Sequence, residues 1–206
     1  MRIERLENSK RKQERVLVYL EDGSILRVTG AELLQFGLYQ GLDLPPEALA
    51  ALEAAAPRSH TKRRGANIAA GRMLSKKELT SRLTRKGASP EDAADTADWL
   101  EELGAVDDAA YAGAIARHYG AMGCGAGRVR QELHRRGVPK ELWDEALAQL
   151  PPPEEAIRKF LRTKLRGRPL TPEDSRRMAA ALQRRGFSWQ DIRPALNELG
   201  QEIDEA

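Results

Sequence analysis

Leu83-Thr84-Arg85-Lys86-Gly87 is the first of three copies of one short pattern: a leucine, a variable residue, two cations and a glycine. The second copy is Leu133-His134-Arg135-Arg136-Gly137, and the third is Leu182-Gln183-Arg184-Arg185-Gly186. The copies lie 50 and 49 residues apart. Self-similarity at a fixed period of this size is typical of tandem helical repeats, so the pattern predicts a repeat protein.

Each copy has the chemistry of a helix C-terminus. An apolar residue lies four positions before each leucine, the two cations complement the negative end of the helix dipole, and glycine can adopt the left-handed conformation of a C-cap. Another helix is predicted to begin directly afterwards, signalled in the first copy by Ser89-Pro90. A further helix is predicted in each unit, at 66–73, 107–121 and 153–166. Each repeat therefore predicts a module of three helices.

The N-terminal part differs from the repeats. Residues 16–20 and 24–28 are rich in β-branched and apolar side chains and flank Asp22-Gly23, a pair that favours a hairpin turn with φ > 0 at both positions. Short helices are predicted at 31–36 and 47–55. The basic stretch that follows Pro57, residues 58–64, is interpreted as a linker.

The predicted fold is therefore mainly α: an elongated array of three tandem three-helix modules, preceded by a small N-terminal β-hairpin with short helices. The predicted boundaries are 1–60 for the N-terminal region, then 61–104, 105–151 and 152–206 for the modules. Three thin cores, each extended by its neighbour, suit a chain with 32% charged and 5% aromatic residues.

Charge is distributed in blocks, although the net charge is only +3. The first basic block holds ten Lys and Arg residues against the single acid Glu78. Basic blocks (58–86, 117–140 and 158–168) alternate with acidic blocks (31–57, 88–116 and 141–155). Two interpretations remain open: the blocks pair with one another as a salt-bridged surface, or the basic helices line up as a stripe that binds a polyanion.

The candidate contacts for such a polyanion all lie in the basic helices. Direct reading of bases is disfavoured, because Asn and Gln are sparse there. The candidates are Arg72, Lys76, Arg82, Arg85, Lys86, Arg128, Arg130, Arg135, Arg136, Arg158, Lys159 and Arg162.

No pattern indicates a catalytic site, a metal site or a cofactor. Asp107-Asp108 stands where a helix N-cap and first-turn acid are expected, so capping is favoured over acid–base or metal chemistry. The glycine-rich run 120–127 follows a helix and lacks a Gly-Lys-Ser/Thr ending, which favours an inter-helix connection over a phosphate loop. The three histidines lack metal-ligand spacing. We therefore expect a binding protein; a metal-dependent nuclease or phosphotransferase using Asp107-Asp108 is the disfavoured alternative.

The single cysteine, Cys124, excludes an intrachain disulfide, which fits a reducing compartment. The sequence contains no uncharged run near the roughly 20 residues that cross a bilayer, and Met1 to Arg15 is charged throughout. We expect a cytoplasmic protein without a membrane partner.

The first two modules resemble the RecX family of regulatory proteins. The resemblance is carried by Arg72, Ser75, Glu78-Leu79, Leu83 and Lys86-Gly87 in the first module. In the second it is carried by Leu103-Gly104, Asp107-Asp108, Tyr111-Ala112 and the stretch Gly127-Arg128-Val129-Arg130-Gln131-Glu132-Leu133, followed by Arg136-Gly137-Val138. The third module keeps only the anchor and its helical stripe.

The resemblance implies a monomeric modulator of the RecA recombinase. It implies binding in the groove of the RecA–single-stranded-DNA filament, contact with single- and double-stranded DNA, and suppression of ATPase, strand-exchange and coprotease activities. The alternative function is a stand-alone nucleic-acid-binding module that acts through phosphate contacts alone.

Overall fold

The computed structural model describes residues 1–9 and 15–204, with side chains described to residue 199. The chain forms two compact units. The first contains Met1–Arg72 and Leu79–Ala105, and the second contains Met73–Glu78 and Val106–Ala206. Within the described residues, no helix combines the length and apolarity needed to cross a membrane.

The first unit begins with an antiparallel sheet of strand order β1-β2-β3. Its strands are β1 (Ile3–Asn8), β2 (Arg15–Leu20) and β3 (Ile25–Thr29). The predicted hairpin is β2–β3, and β1 is an addition to it. The face that carries Val18 and Val28 is buried against the helices that follow.

The turn of the hairpin differs from the predicted one. The loop has three residues, because Leu20 pairs with Ser24 and the Gly23 N–H donates to the Leu20 carbonyl at 2.9 Å. Only Gly23 has positive φ, at 82°. Asp22 instead accepts a hydrogen bond from the Ser24 N–H through its side chain. The expectation of two positive φ angles was therefore wrong; this is the three-residue loop in which one glycine takes the left-handed position.

The interpretation of residues 58–64 as a linker was also wrong. After the short helix α1 (Gly30–Gln35), one continuous helix, α2 (Pro46–Gly71), covers the predicted helix 47–55, the supposed linker and most of the predicted helix 66–73. The helix passes through Pro57, whose carbonyl accepts a hydrogen bond from the Thr61 hydroxyl at 2.9 Å.

Packing explains why α2 continues past its proline. Gly65 lies so close to the next helix pair that an added Cβ would stand 2.6 Å from Thr96 and 3.1 Å from Leu100. Thr61 and Gly65 are buried on the same face. Tertiary contacts over this length outweigh the single backbone hydrogen bond that proline removes.

From α2 onward, the helices fall into groups of three, as predicted. In the first module, α2 is followed by α3 (Lys76–Arg85) and α4 (Pro90–Glu102). The second module has α5 (Asp108–Ala121), α6 (Ala126–Arg136), a 3-10 turn (Lys140–Leu142) and α7 (Trp143–Leu147). The third has α8 (Pro153–Leu165), α9 (Pro172–Arg184) and α10 (Trp189–Asp204).

The three repeat anchors close their helices in the same way. Gly87, Gly137 and Gly186 have φ angles of 89°, 70° and 89°. The residue after each glycine donates its N–H to the anchor leucine's carbonyl, at 3.1 Å from Ala88, 3.0 Å from Val138 and 3.2 Å from Phe187. The predicted left-handed caps are confirmed, and the anchors each mark the end of a module's second helix.

The second and third modules meet through backbone atoms. The N–H of Gly125, at the start of α6, donates to the Arg185 carbonyl at 2.9 Å, and the N–H of Gly127 donates to the Gly186 carbonyl at 2.9 Å. A Cβ on Gly125 would stand 2.6 Å from the Gly186 oxygen. The N-terminus of α6 therefore lies directly on the C-cap of α9. We call this contact the glycine joint.

An equivalent contact joins residues 73–78 to the second module. The Ser75 hydroxyl accepts a hydrogen bond from the Glu78 N–H as the N-cap of α3 and donates one to the Arg136 carbonyl. Asp108 accepts from the Lys76 N–H at 2.8 Å. The N-terminus of α3 is thus bound to the C-cap of α6, and we call this contact the polar joint.

The corresponding carbonyl in the first module is also occupied. The Arg64 guanidinium, on α2, donates to the Lys86 carbonyl at 2.6 Å. In all three anchors, the backbone carbonyl of the second cation therefore accepts a hydrogen bond. The donor is Arg64 for Lys86, Ser75 for Arg136 and Gly125 for Arg185.

Candidate nucleic-acid interface

Ten of the twelve predicted contact residues lie on the second helices of modules one and two and on the first helix of module three. Arg72 is the C-cap of α2, and Lys86 follows α3. The rest are divided between α3 (Lys76, Arg82, Arg85), α6 (Arg128, Arg130, Arg135, Arg136) and α8 (Arg158, Lys159, Arg162). Nine of them are exposed; Lys76, Arg82 and Arg136 are half-buried.

The joints bring cations of neighbouring modules together. At the glycine joint, Gly186 lies against the backbone of Arg128, so the first turn of α6 adjoins the Arg184-Arg185 pair that ends α9. At the polar joint, the Lys77 side chain packs over Gly137, beside the Arg135-Arg136 pair that ends α6. Within the second unit, cations therefore follow one another from Lys77 along α6 to Arg185. We call this run the cationic ridge.

Arg184 and Arg185 were missing from the predicted set. They stand at the repeat positions of Arg135 and Arg136. The repeat could have indicated them, because the anchors align Arg184-Arg185 with Arg135-Arg136. In the third module the candidates were instead taken from the segment with the most cations, which is α8.

Arg136 serves the polar joint more than the surface. Its Nε donates to Glu132 Oε1 at 2.8 Å and its Nη1 to Glu78 Oε1 at 3.3 Å. The Tyr111 hydroxyl donates to the other oxygen of Glu78 at 3.2 Å. Only 29% of the Arg136 side chain is exposed. Arg136 therefore holds residues 73–78 onto the second module.

Arg135 combines both roles. Its Nε donates to Glu132 Oε2 at 3.0 Å and its Nη2 to Glu132 Oε1, while 64% of its side chain remains exposed. These bonds from Arg135, together with those from Arg136, lower the pKa of Glu132 to about 2, against the opposing effect of burial. Glu132 is only 5% exposed, but the hydrogen bonds from Arg135 and Arg136 keep its carboxylate ionised, and the carboxylate in turn orients both guanidinium groups.

Arg158 is paired as well, and Lys76 also has a partner. Arg158 forms three hydrogen bonds of 2.8–3.2 Å with the Glu198 carboxylate of α10. Arg128 lies 5.9 Å from the Tyr119 ring centroid and contacts Gln131 at 3.4 Å. Among the described residues, eight candidates make no ion pair: Arg72, Arg82, Arg85, Lys86, Arg128, Arg130, Lys159 and Arg162. Salt bridging therefore accounts for a minority of the predicted cations.

The other chemical candidates have structural partners. Asp107 caps α5 by accepting from the Ala110 N–H at 2.8 Å, as predicted, and the buried Asp108 binds the Lys76 N–H at the polar joint. His118 contacts the Tyr119 ring and His134 the Trp143 ring. Over residues 1–9 and 15–199, no three His, Cys, Asp or Glu side chains cluster as metal ligands would.

The fold and the ridge define a class: tandem three-helix repeat proteins whose second helices present cations along adjoining modules. The models of the RecX second and third three-helix domains match residues 107–147 and 153–196. The regulatory protein RecX of Chlorobaculum tepidum is 33% identical over 141 residues, covering 66% of this chain and 86% of that protein. That of Bacillus subtilis is 26% identical over 98% of this chain and 79% of its own length. The chain belongs to the RecX family.

Solved structures agree on the fold. A crystal structure of regulatory protein RecX superposes with a TM-score of 0.75 at 23% identity and covers 95% of this chain and 98% of its own. The structure of RecX from Lactobacillus salivarius has a TM-score of 0.65 at 17% identity and covers 70% of this chain and 97% of its own. At these identities the likeness concerns the arrangement of helices.

Proposed function

We propose that this protein is a cytoplasmic regulator, without catalytic activity of its own, that binds the RecA–single-stranded-DNA filament in its groove as a monomer. Binding there suppresses filament ATPase, strand exchange and coprotease activity. The observation that carries the proposal is the cationic ridge, in which two joints of different chemistry keep positive charge continuous along the second unit. An extended anionic target matches such a surface better than a compact ligand does.

The roles of the cations divide by exposure and pairing. Arg85, Lys86, Arg128 and Arg130 are exposed and free of ion pairs within the described chain, so they contact phosphate groups or acidic side chains of the filament. Arg135 contributes from a fixed orientation. Arg136 and Glu132 act indirectly, because they hold the polar joint in place.

The test compares two variants that change charge equally. In the first, Arg85, Lys86, Arg128 and Arg130 are changed to Glu; in the control, the exposed cations Arg27, Arg117, Lys140 and Arg193 are changed to Glu. RecA-catalysed ATP hydrolysis on single-stranded DNA is measured with each protein. We expect inhibition by the wild type and the control and its loss, by tenfold or more in required concentration, in the first variant. Equal inhibition by all three would refute the assignment.

The salt dependence of DNA affinity distinguishes the alternative function, a stand-alone nucleic-acid-binding module, from filament binding. Phosphate contacts alone predict that affinity for naked single strands falls with a log–log slope of about −0.7 per contact and that added recombinase brings no gain. Filament binding predicts a lower dissociation constant on RecA-coated than on naked strands at the same salt concentration.

A further inference from the structure

A groove on the second unit lies outside the predicted contact set except at Lys159. It has a volume of about 440 Å³ and lies between the end of α5 and one side of α8. Its apolar lining, which we call the floor, comprises Ala121, Met122, Pro151, Ala156 and Phe160. This volume is in the range that takes one or two large side chains of a ligand.

Three cations also line this groove, and we call them its rim. Lys159 and Lys164 come from α8, and Arg185 comes from the end of α9; Glu155 is the one acid in the lining. Lys159, Lys164 and Arg185 are exposed and form no ion pair in the described part of the chain. The groove therefore combines an apolar floor with an excess of positive charge.

Arg185 is held in position before any ligand arrives. Its Nη1 donates to the carbonyls of Met122 and Gly123, at 3.5 and 3.4 Å, and its guanidinium carbon lies 4.9 Å from the Phe160 ring centroid. The Lys164 ammonium lies 6.0 Å from the same centroid. A fixed cation beside an apolar depression lowers the ordering cost of binding, as at the centres of protein interfaces.

These contacts decide between two classes of ligand. A nucleic-acid base would need a free aromatic face for stacking, but the Phe160 ring is already associated with Arg185 and Lys164. An apolar side chain needs only the floor, where Met122 is 56% exposed. Acidic neighbours of that side chain would complement the rim.

We infer that this groove, which we call the acidic-peptide groove, binds a peptide segment of a partner protein in which one large apolar side chain is flanked by Asp or Glu. The apolar side chain lies on the floor, and the carboxylates pair with Lys159, Lys164 and Arg185. The inference goes beyond the proposed filament contact, because it assigns an apolar side chain as ligand to a groove that shares only Arg185 with the cationic ridge and only Lys159 with the predicted contact set.

The experiment uses the full chain, without recombinase or DNA. The probe is a fluorescein-labelled peptide with one phenylalanine between two blocks of three aspartates, followed by fluorescence polarisation. We expect saturable binding that weakens at least tenfold when serine replaces phenylalanine and at least tenfold in the protein variant Lys159→Glu/Lys164→Glu. The control Lys140→Glu/Arg193→Glu makes the same change of charge at exposed sites outside the groove and should bind as the wild type does.

A second variant separates shape from charge. Ala121→Trp fills the groove from an exposed position at the end of α5 and keeps every cation, so it too should weaken binding. Equal binding of the phenylalanine and serine peptides would overturn the inference, since the floor would then be unused. It would also be overturned if a ten-nucleotide oligothymidylate bound with the same dependence on Lys159 and Lys164 and the peptide did not. Neither result bears on ATPase inhibition through α3 and α6.

Discussion

The polar joint and the glycine joint occupy the same place in two successive repeats but are built from different atoms. At the first, the Ser75 hydroxyl reaches the Arg136 carbonyl; at the second, the Gly125 N–H reaches the Arg185 carbonyl directly. Ser75 and Gly125 are 50 residues apart, and Arg136 and Arg185 are 49 apart, as the anchors are. The repeat therefore preserves the carbonyl that must be bound, while the donor varies.

The two joints tolerate substitution differently. At the glycine joint, backbone meets backbone, and nothing can move aside when an atom is added. At the polar joint, the atoms nearest to Gly137 belong to the flexible Lys77 side chain. A side-chain joint depends on ionisation and hydrogen bonding, whereas a backbone joint depends on the absence of a Cβ.

The largest effect is expected from Gly186→Ala. The added Cβ would stand 2.1 Å from the Arg128 nitrogen in a residue whose φ is 89°, so it adds a backbone clash to left-handed strain. We expect a loss of about 3 kcal/mol or more in the free energy of unfolding, measured by urea denaturation. Trp189, on α10, reports on the third module.

Two matched substitutions calibrate this prediction. Gly87→Ala has the same φ with nothing within 4 Å of the added Cβ, so it should cost only the left-handed strain, about 1–2 kcal/mol. Gly137→Ala meets the Lys77 side chain and should fall between them. Equal losses at all three anchors would mean that the glycine joint adds no constraint.

The next effect concerns Glu132 and pH. Its pKa is lowered from 4.5 to about 2 in the folded protein, mainly by the hydrogen bonds from Arg135. Its stabilisation is therefore complete above pH 4.5 and is lost as the pH falls towards 2. We expect Glu132→Gln to lower the free energy of unfolding at pH 7 by about 2–3 kcal/mol and to flatten its pH dependence between pH 4.5 and 2.

The control for Glu132→Gln is Glu141→Gln, an exposed carboxylate in the same module. Stability is measured by thermal and urea unfolding across the pH range. An unchanged slope in Glu132→Gln would show that the carboxylate is not ionised preferentially in the folded state.

A smaller effect is expected from Ser75→Ala. Ser75 is both an N-cap and a donor to the second module, so its removal should cost about 2 kcal/mol. Ser89→Ala removes only a cap, the bond to the Asp92 N–H, and should cost about 1 kcal/mol. The difference between the two measured losses isolates the hydrogen bond across the polar joint; identical losses would assign Ser75 to capping alone.

The smallest effect is expected from the Arg158–Glu198 pair, which contributes to neither joint. Both side chains are about half exposed, so the coupling measured by a double-mutant cycle with alanine should lie below about 1 kcal/mol and shrink with salt. A coupling as large as that between Arg136 and Glu132 would contradict the distinction between joint and surface pairs.

Much of the helical array could be predicted from the sequence, because caps and apolar spacing are local signals. Helices α5 and α8 begin and end within one residue of the predicted ranges, and all three anchor glycines take the left-handed conformation. The strand β1 and the continuity of α2 through Pro57 were not predicted, because each depends on partners distant in sequence.

The candidate site was predictable in outline only. Exposed Arg128 and Arg130 were identified from charge alone, but the burial of Arg136 by Glu132 and Glu78 needed the contact between residues 73–78 and the second module. The run 120–127 was predicted to connect two helices, but Gly127 lies within α6, and the close contact of Gly125 and Gly127 with Gly186 was not predicted. Aligning Ser75 with Gly125 through the repeat would have indicated a shared role.

The hydrogen bond from the Arg64 guanidinium to the Lys86 carbonyl has a consequence for the addition of further modules. At both joints the carbonyl of an anchor's second cation receives the helix that precedes it in the chain, and in the first module Arg64 already fills that position on Lys86. A fourth three-helix unit added to this edge, whether from an insertion or from another molecule, would first have to displace a charged hydrogen bond. The long helix α2 thus satisfies, within its own unit, the backbone acceptor that the other two anchors offer to a preceding helix.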